Sequence, residues 1–180
     1  DNVAYITYQN FAQDVEAGDR VLMDDGKLVV EVTDSNRIDM VETVVVHGGP
    51  LYPNKGVNLP NTKISLPCLT EKDLKDLDFI LEHQPDWIAL SFVRESYDII
   101  ALRQILENRN SSAKIIAKIE KPQALENIDS IIDSTDAIMI ARGDLGVEVP
   151  IEQLPMAQKS IVKKCLVKSK PVIIATQIME

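Results

Sequence analysis

Asp136-Ala137-Ile138-Met139-Ile140-Ala141-Arg142-Gly143-Asp144-Leu145-Gly146-Val147-Glu148 is the stretch on which the reading of this chain turns. Ala137 to Ala141 is a short apolar run of the kind that forms a strand buried on both faces. Polarity then reverses within one residue, at Arg142-Gly143-Asp144. A cation, an acid and two glycines (Gly143 and Gly146) at the carboxyl end of a buried strand suggest a ligand site. Glycine lets backbone N–H groups come close to an anion, and Asp144 offers oxygens to a hard metal ion. A lone G-x-x-G is more commonly a left-handed turn beside a solvated Arg–Asp pair. The ligand reading therefore rests on neighbouring strands ending in a similar way.

Outward from this stretch, the chain alternates. Thr70 with Asp73 forms an acidic variant of the capping box, and Leu74, Leu77, Ile80 and Leu81 set a helical stripe. Residues 86–92 form an apolar strand that ends in Ser91-Phe92-Val93-Arg94. Ser96 caps a helix carrying Ile99, Leu102, Ile105 and Leu106. Lys114 to Glu120 is the next strand. Pro122 then sits where the first turn of a helix tolerates it, with Leu125, Ile128, Ile131 and Ile132 inward. After the strand at 137–141, a long helix runs from about Ile151 to Val167, with Leu154, Ile161, Cys165 and Leu166 on its inner face. The last strand, Pro171 to Ala175, ends at Thr176-Gln177. Helix, then strand–helix repeated, then a strand predicts a parallel sheet with right-handed crossovers. Alternation alone does not separate an open Rossmann-like sheet from a (β/α)8 barrel. No G-x-G-x-x-G follows the first strand, which lowers the dinucleotide option.

Residues 1 to about 53 have a different texture, that of antiparallel β structure. Val3 to Thr7 is β-branched and aromatic. Val21-Leu22-Met23 faces Lys27 to Val32 across Asp24-Asp25-Gly26, a hairpin turn in which glycine supplies a positive φ. Asp34-Ser35-Asn36 turns into Arg37 to Val46, and His47-Gly48-Gly49-Pro50 ends the run, so a small antiparallel barrel or sandwich is expected. Neither His47, beside glycines, nor His83, at a helix end, has a second ligand at metal spacing. Residues 52–60, with their prolines and glycine, read as a linker. Lys55 within it is able to reach a phosphate, although its pattern alone favours a solvated lysine. The expected division is residues 1–54 and 55–180.

Hydrophobic residues make up 45% of the 180 and aromatics only 4%, so the core must be aliphatic, as α/β layers are. A net charge of -9 argues against a nucleic-acid or anionic-membrane surface. Cys68 and Cys165 stand apart with no C-x-x-C, which suits packing cysteines in a reduced, cytoplasmic setting. No apolar run reaches membrane-spanning length. The sequence starts at Asp1 without methionine and stops just past a strand, which suggests an excerpt of something longer.

In either α/β architecture, ligands bind at the carboxyl ends of the strands. Those ends carry Ser91 and Arg94, Lys118 and Glu120, Arg142 to Asp144, and Thr176 with Gln177. Lys118 and Glu120 are two apart in a strand and share a face among isoleucines. A charge pair there is costly unless its members hold each other or a ligand. With Asp144 from the adjacent strand end, Glu120 makes a hard-oxygen site suited to Mg²⁺ (or Mn²⁺). Lys118 supplies a fixed positive charge for a phosphoryl group or an enolate, and Gly143 and Asp144 offer amides beside the Thr176 hydroxyl. A small phosphorylated or carboxylated substrate is implied.

Lys55-Gly56-Val57-Asn58-Leu59-Pro60, Ser91-Phe92-Val93-Arg94, Lys118-Ile119-Glu120, Ala141 to Gly146 and Ala175-Thr176-Gln177 together resemble the pyruvate kinase family, in order and over nearly the whole chain. The resemblance implies part of a (β/α)8 TIM barrel with a small inserted antiparallel β-barrel domain. Residues 1 to about 54 would be most of the mobile lid, and the rest the middle of the barrel. It implies transfer of the phosphoryl group of phosphoenolpyruvate to ADP in glycolysis, giving pyruvate and ATP, in a homotetrameric parent with no nucleic-acid or membrane partner. Glu120 and Asp144 would hold Mg²⁺ or Mn²⁺, and Lys118 would meet the phosphoryl group. Lys55 would meet nucleotide phosphate, while Gly143, Asp144 and Thr176 would bind the substrate carboxylate. Thr176, with ordered water, is then a candidate for protonating the enolate. K⁺ ligands and an arginine for the substrate phosphate would lie outside these residues, so the 180-residue piece by itself is expected to be inactive. Asn61 stands where the family usually has glycine, and Lys121-Pro122 replaces a more polar pair. Competing readings are a metal-dependent aldolase or lyase acting on pyruvate or its enol phosphate, and a non-catalytic binding module. Lys55 and its context favour the kinase.

Overall fold

The computed structural model describes residues 3–60 and 62–176. Asn61 and Gln177, both named above, lie outside the described residues. The chain forms two compact units, 1–65 and 66–180.

In the first unit a single turn of helix, α1 (Phe11–Asp14), precedes an antiparallel sheet of β1 (Arg20–Met23), β2 (Leu28–Ser35), β3 (Val41–His47) and β4 (Val57–Asn58). The strand order is β3-β2-β1-β4. Val15, Val21, Val32 and Leu59 are buried at its centre, with Tyr8, Phe11 and Ile64 packed against them. The hairpin between β1 and β2 is tighter than composition suggests. Asp24, Asp25 and Gly26 all take positive φ (51°, 57° and 82°), so the two aspartates share a conformation expected of the glycine alone. Asn36 Oδ1 accepts the N–H groups of Ile38, Asp39 and Met40, which delays β3 to Val41.

Three expectations for this unit change. Val3 to Thr7 is not a strand. Val3 and Tyr5 are 73% and 99% exposed, and β propensity without a partner to pair with does not hold a strand. The described strands form one sheet, and the closed barrel or sandwich expected from the sequence is not seen among them. The division also falls after Ser65, not after residue 54. Residues 55–65 are tied back to the first unit because β4 pairs with β1, Leu59 is buried, and the Ser65 N–H donates to Asp14 at 2.7 Å.

The second unit alternates as expected: α2 (Glu71–Glu82), β5 (Trp87–Leu90), α3 (Ser96–Asn108), β6 (Lys114–Ile119), α4 (Pro122–Glu126) with α5 (Ile128–Ser134), β7 (Ala137–Ala141), α6 (Arg142–Glu148) with α7 (Leu154–Val167), and β8 (Val172–Ala175). The four strands are parallel and lie in sequence order, β5-β6-β7-β8. Ile115, Ala117 and Ile119 on one face of β6, and Ile138 and Ile140 on β7, are fully buried. Ile99, Leu102 and Leu106 of α3 and Ile131 and Ile132 of α5 close over them. The stripes predicted for α3 and α5 are thus the ones that pack, whereas Leu74 and Ile80 of α2 and Leu166 of α7, expected to face inward, are exposed (37%, 38% and 69%).

The helix starts differ in detail. Thr70 and Asp73 form the capping box of α2. Ser96, however, is the first residue of α3, and Glu95 with Asp98 forms the capping box there, a longer acid doing what a short hydroxyl was expected to do. The helix expected from Ile151 begins at Leu154, where Pro155 fits the first turn. Residues 142–148, expected as a turn, form α6. Cys68 and Cys165 are unpaired, and burial pushes the Cys68 thiol up to about 12. Among the described residues no helix is long and apolar enough to cross a membrane.

Candidate functional site

Strand register brings the charged residues together. Leu90 lies opposite Ala117, so the residues leaving β5 run alongside Lys118 and Glu120 at the end of β6. Lys118 Nζ donates to Ser91 Oγ at 2.9 Å and pairs with Glu120 Oε1 at 2.5 Å. Glu120 Oε2 accepts the Phe92 N–H at 2.7 Å, and Phe92 takes a φ of 55° to present it. Glu120 is 2% exposed, whereas the Lys118 side chain keeps 24% of its surface. The carboxylate is therefore held from both sides, while the lysine side chain it holds keeps part of its surface exposed. The sequence leaves these two charges holding either each other or a ligand. The structure has that pairing, together with a hydroxyl and a backbone amide that fix both groups in one arrangement.

A second register match joins the next strand ends. Ala141 lies opposite Ala175, so the start of α6 meets the residue that follows β8. There the Gly143 N–H donates to Thr176 Oγ1 at 3.0 Å. Thr176 has φ 60°, a left-handed conformation that a β-branched residue rarely adopts. Asp144 is exposed on α6. Arg142, first in the polar run, is not simply solvated. Its Nη1 donates to Gln158 of α7 at 2.7 Å. Arg94 donates from Nη2 to the Leu66 carbonyl at 2.8 Å.

The donor set suits a divalent ion of the Mg²⁺ kind. Glu120 Oε1 meets Lys118 and Oε2 meets the Phe92 N–H, and a carboxylate oxygen has two lone-pair positions. Mg²⁺ is ordinarily held by one or two carboxylates together with water and substrate oxygens. Among the described residues there is no group of three or more His, Cys, Asp or Glu that would make an all-protein cage. Two carboxylates at adjacent strand ends are consistent with the first arrangement and not with the second.

Lys55 belongs to the first unit. It is exposed and pairs with Asp24 Oδ1 at 2.8 Å, and the Asp24 N–H donates to the Gly56 carbonyl at 3.1 Å. The hydrogen bond from Lys55 holds the Asp24 carboxyl below its usual range, and the same bond holds the Lys55 ammonium above its own. Sequence reasoning saw Lys55 but not Asp24, because the partner lies across the hairpin. Lys121 stands out in the sequence only as part of a departure from the family's pattern. Lys121 is buried and paired with Glu148. The one sequence signal for Glu148 was its position four residues after Asp144, on the same side of a helix.

Parallel strands with a fixed lysine–glutamate pair and amide and hydroxyl groups at their carboxyl ends define an α/β protein with a charged strand-end site. The chain belongs to the pyruvate kinase family: the family model described as pyruvate kinase, barrel domain, matches residues 1–180. A pyruvate kinase of Mycobacterium tuberculosis (strain CDC 1551 / Oshkosh) is 45% identical over 174 residues, covering 97% of this chain and 37% of that protein. Those of Bacillus licheniformis and Staphylococcus aureus (strain MRSA252) are 44% and 40% identical, each over 97% of this chain and 30% of their own length. The chain thus spans about a third of the curated relatives it matches.

Proposed function

We propose that this chain is the central part of a glycolytic pyruvate kinase, a cytoplasmic enzyme that moves the phosphoryl group of phosphoenolpyruvate to ADP. Its second unit is then part of a (β/α)8 barrel, and its first unit is most of an inserted lid. The observation that carries the proposal is Lys118, whose ammonium is pinned by Glu120 at 2.5 Å and Ser91 at 2.9 Å on a side chain that stays partly exposed.

In this reading Lys118 presents preorganised charge to the phosphoryl group as its bond to the enol oxygen breaks and its bond to a β-phosphate oxygen of ADP forms. Charge fixed before the reaction costs no reorganisation while it proceeds. Glu120 and Asp144 would hold Mg²⁺ or Mn²⁺, which would supply positive charge against the substrate oxygens. The Gly143 and Asp144 amides and the Thr176 hydroxyl orient the substrate carboxylate. The released enolate takes a proton at its methylene carbon, from Thr176 or an ordered water, and becomes pyruvate. Lys55 meets nucleotide phosphate, exchanging its contact with Asp24 for one with the ligand. In the same reading the parent is a homotetramer that also takes up K⁺.

The test is a lactate-dehydrogenase-coupled assay on the full-length parent with phosphoenolpyruvate, ADP and Mg²⁺. Pyruvate formation that requires ADP is expected. Pyruvate release without ADP points to a lyase or phosphatase, and binding without turnover points to a non-catalytic module.

A further inference from the structure

We infer that Lys121 is a positioning residue that locks the two metal-binding carboxylates, Glu120 and Asp144, into one arrangement. The inference rests on the reading of those two carboxylates given above. Lys121 follows Glu120 directly and lies at the N-terminal boundary of α4, in extended conformation. Its side chain is only 10% exposed and forms an ion pair with Glu148, whose side chain is 1% exposed. Glu148 is the last residue of α6, one helical turn beyond Asp144, so the two carboxylates lie on one side of the same short helix. Holding Glu148 therefore restrains the rotation of the helix that carries Asp144 and the Gly143 N–H.

The same ammonium lies 5.8 Å from the centroid of the Phe92 ring, in the range of a cation–π contact. Phe92 is the residue whose N–H holds Glu120 Oε2. One buried lysine thus touches three segments: the exit of β5, the exit of β6 and the end of α6 after β7. Without it, Glu120 and Asp144 are fixed separately, and a bound divalent ion has to bring them together itself. Partners that orient metal-binding groups in this way ordinarily change metal affinity or activity by about 10–100-fold when removed. Glu148 also explains why a lysine is tolerated here, since a buried ammonium needs a carboxylate beside it.

The test uses the full-length parent, with Mn²⁺ affinity read by EPR in the absence of substrates and kcat and KM read separately. Lys121→Met is expected to weaken Mn²⁺ binding by about tenfold or more and to lower kcat, and Lys121→Arg to restore most of the affinity. Should Lys121→Met fail to fold, the Lys121→Gln/Glu148→Gln double variant removes both charges and leaves no buried charge unpaired. The same loss of Mn²⁺ affinity is expected there. Mn²⁺ affinity and kcat within twofold of the parent in a folded variant, with only thermal stability changed, would overturn the inference. A parent that binds Mn²⁺ but shows no ADP-dependent turnover would instead overturn the proposed function and leave the positioning role standing.

Discussion

Replacing Lys118 by methionine separates catalysis from folding at one position. Methionine keeps an unbranched apolar stem of similar reach and removes the ammonium. Glu120 then loses its 2.5 Å partner while keeping the 2.7 Å hydrogen bond from Phe92. Breaking a fully buried ion pair costs about 3–5 kcal/mol, but the Lys118 side chain is 24% exposed and water screens part of the loss, so about 2 kcal/mol is expected. That lowers the urea midpoint without unfolding a protein of ordinary stability. The catalytic loss is separate. Removing one preorganised charge-stabilising group costs about 10²–10³ in kcat, roughly 2.7–4 kcal/mol of transition-state stabilisation. The coupled assay on the full-length parent, with circular dichroism as the folding control, reads both effects. A folded variant whose kcat stays within a few-fold of the parent would remove Lys118 from the mechanism.

Asp144→Asn should sharply weaken Mn²⁺ binding in an EPR titration, because each carboxylate is a large share of the site's charge; equal affinities would make Asp144 structural. Asp24→Asn should let the Lys55 pKa fall back toward its ordinary value, so Lys55 becomes more reactive to acetic anhydride at pH 9, mapped by mass spectrometry. Unchanged labelling would mean that the pair does not form in solution. Asp73→Ala should cost about 1 kcal/mol through loss of the α2 capping box. The Thr70 hydroxyl and N–H hold the Asp73 carboxyl below 3.8, so the folded state binds fewer protons and the stabilisation is present above that value. It is lost as pH falls through the lower, folded-state pKa, so the difference in urea midpoint between variant and parent should shrink below about pH 4. A difference independent of pH would argue against an ionised cap.

Much of this arrangement was legible in the residues because it depends on local periodicity. The strands at 87–90, 114–119 and 137–141 follow from short apolar runs, and the stripes Ile99-Leu102-Leu106 and Ile128-Ile131-Ile132 from a period of 3.6. Lys118 and Glu120 could be placed together because they are two apart in one strand. What was not legible depends on pairs distant in sequence. The Lys121–Glu148 ion pair spans 27 residues and Lys55–Asp24 spans a hairpin, and neither has a spacing rule to announce it. Val3 to Thr7 misled for the converse reason, since strand-like composition carries no information about whether a partner strand is present. Gly143 and Gly146 suggested a turn, but they sit inside α6. There an added Cβ at Gly146 would lie 3.4 Å from Leu154 Cδ2, an ordinary contact, so the packing of α7 does not by itself demand that glycine.

Under the proposed function, the full-length parent passes phosphorus from an enol phosphate to a nucleotide. ³¹P NMR on the full-length parent, mixed with phosphoenolpyruvate, ADP and Mg²⁺, follows that atom directly. The enol-phosphate resonance should fall while the β- and γ-phosphate resonances of ATP rise in equal amount, and both changes should be lost in Lys118→Met. Growth of inorganic phosphate in place of ATP, or loss of phosphoenolpyruvate at the same rate without ADP, would contradict the account.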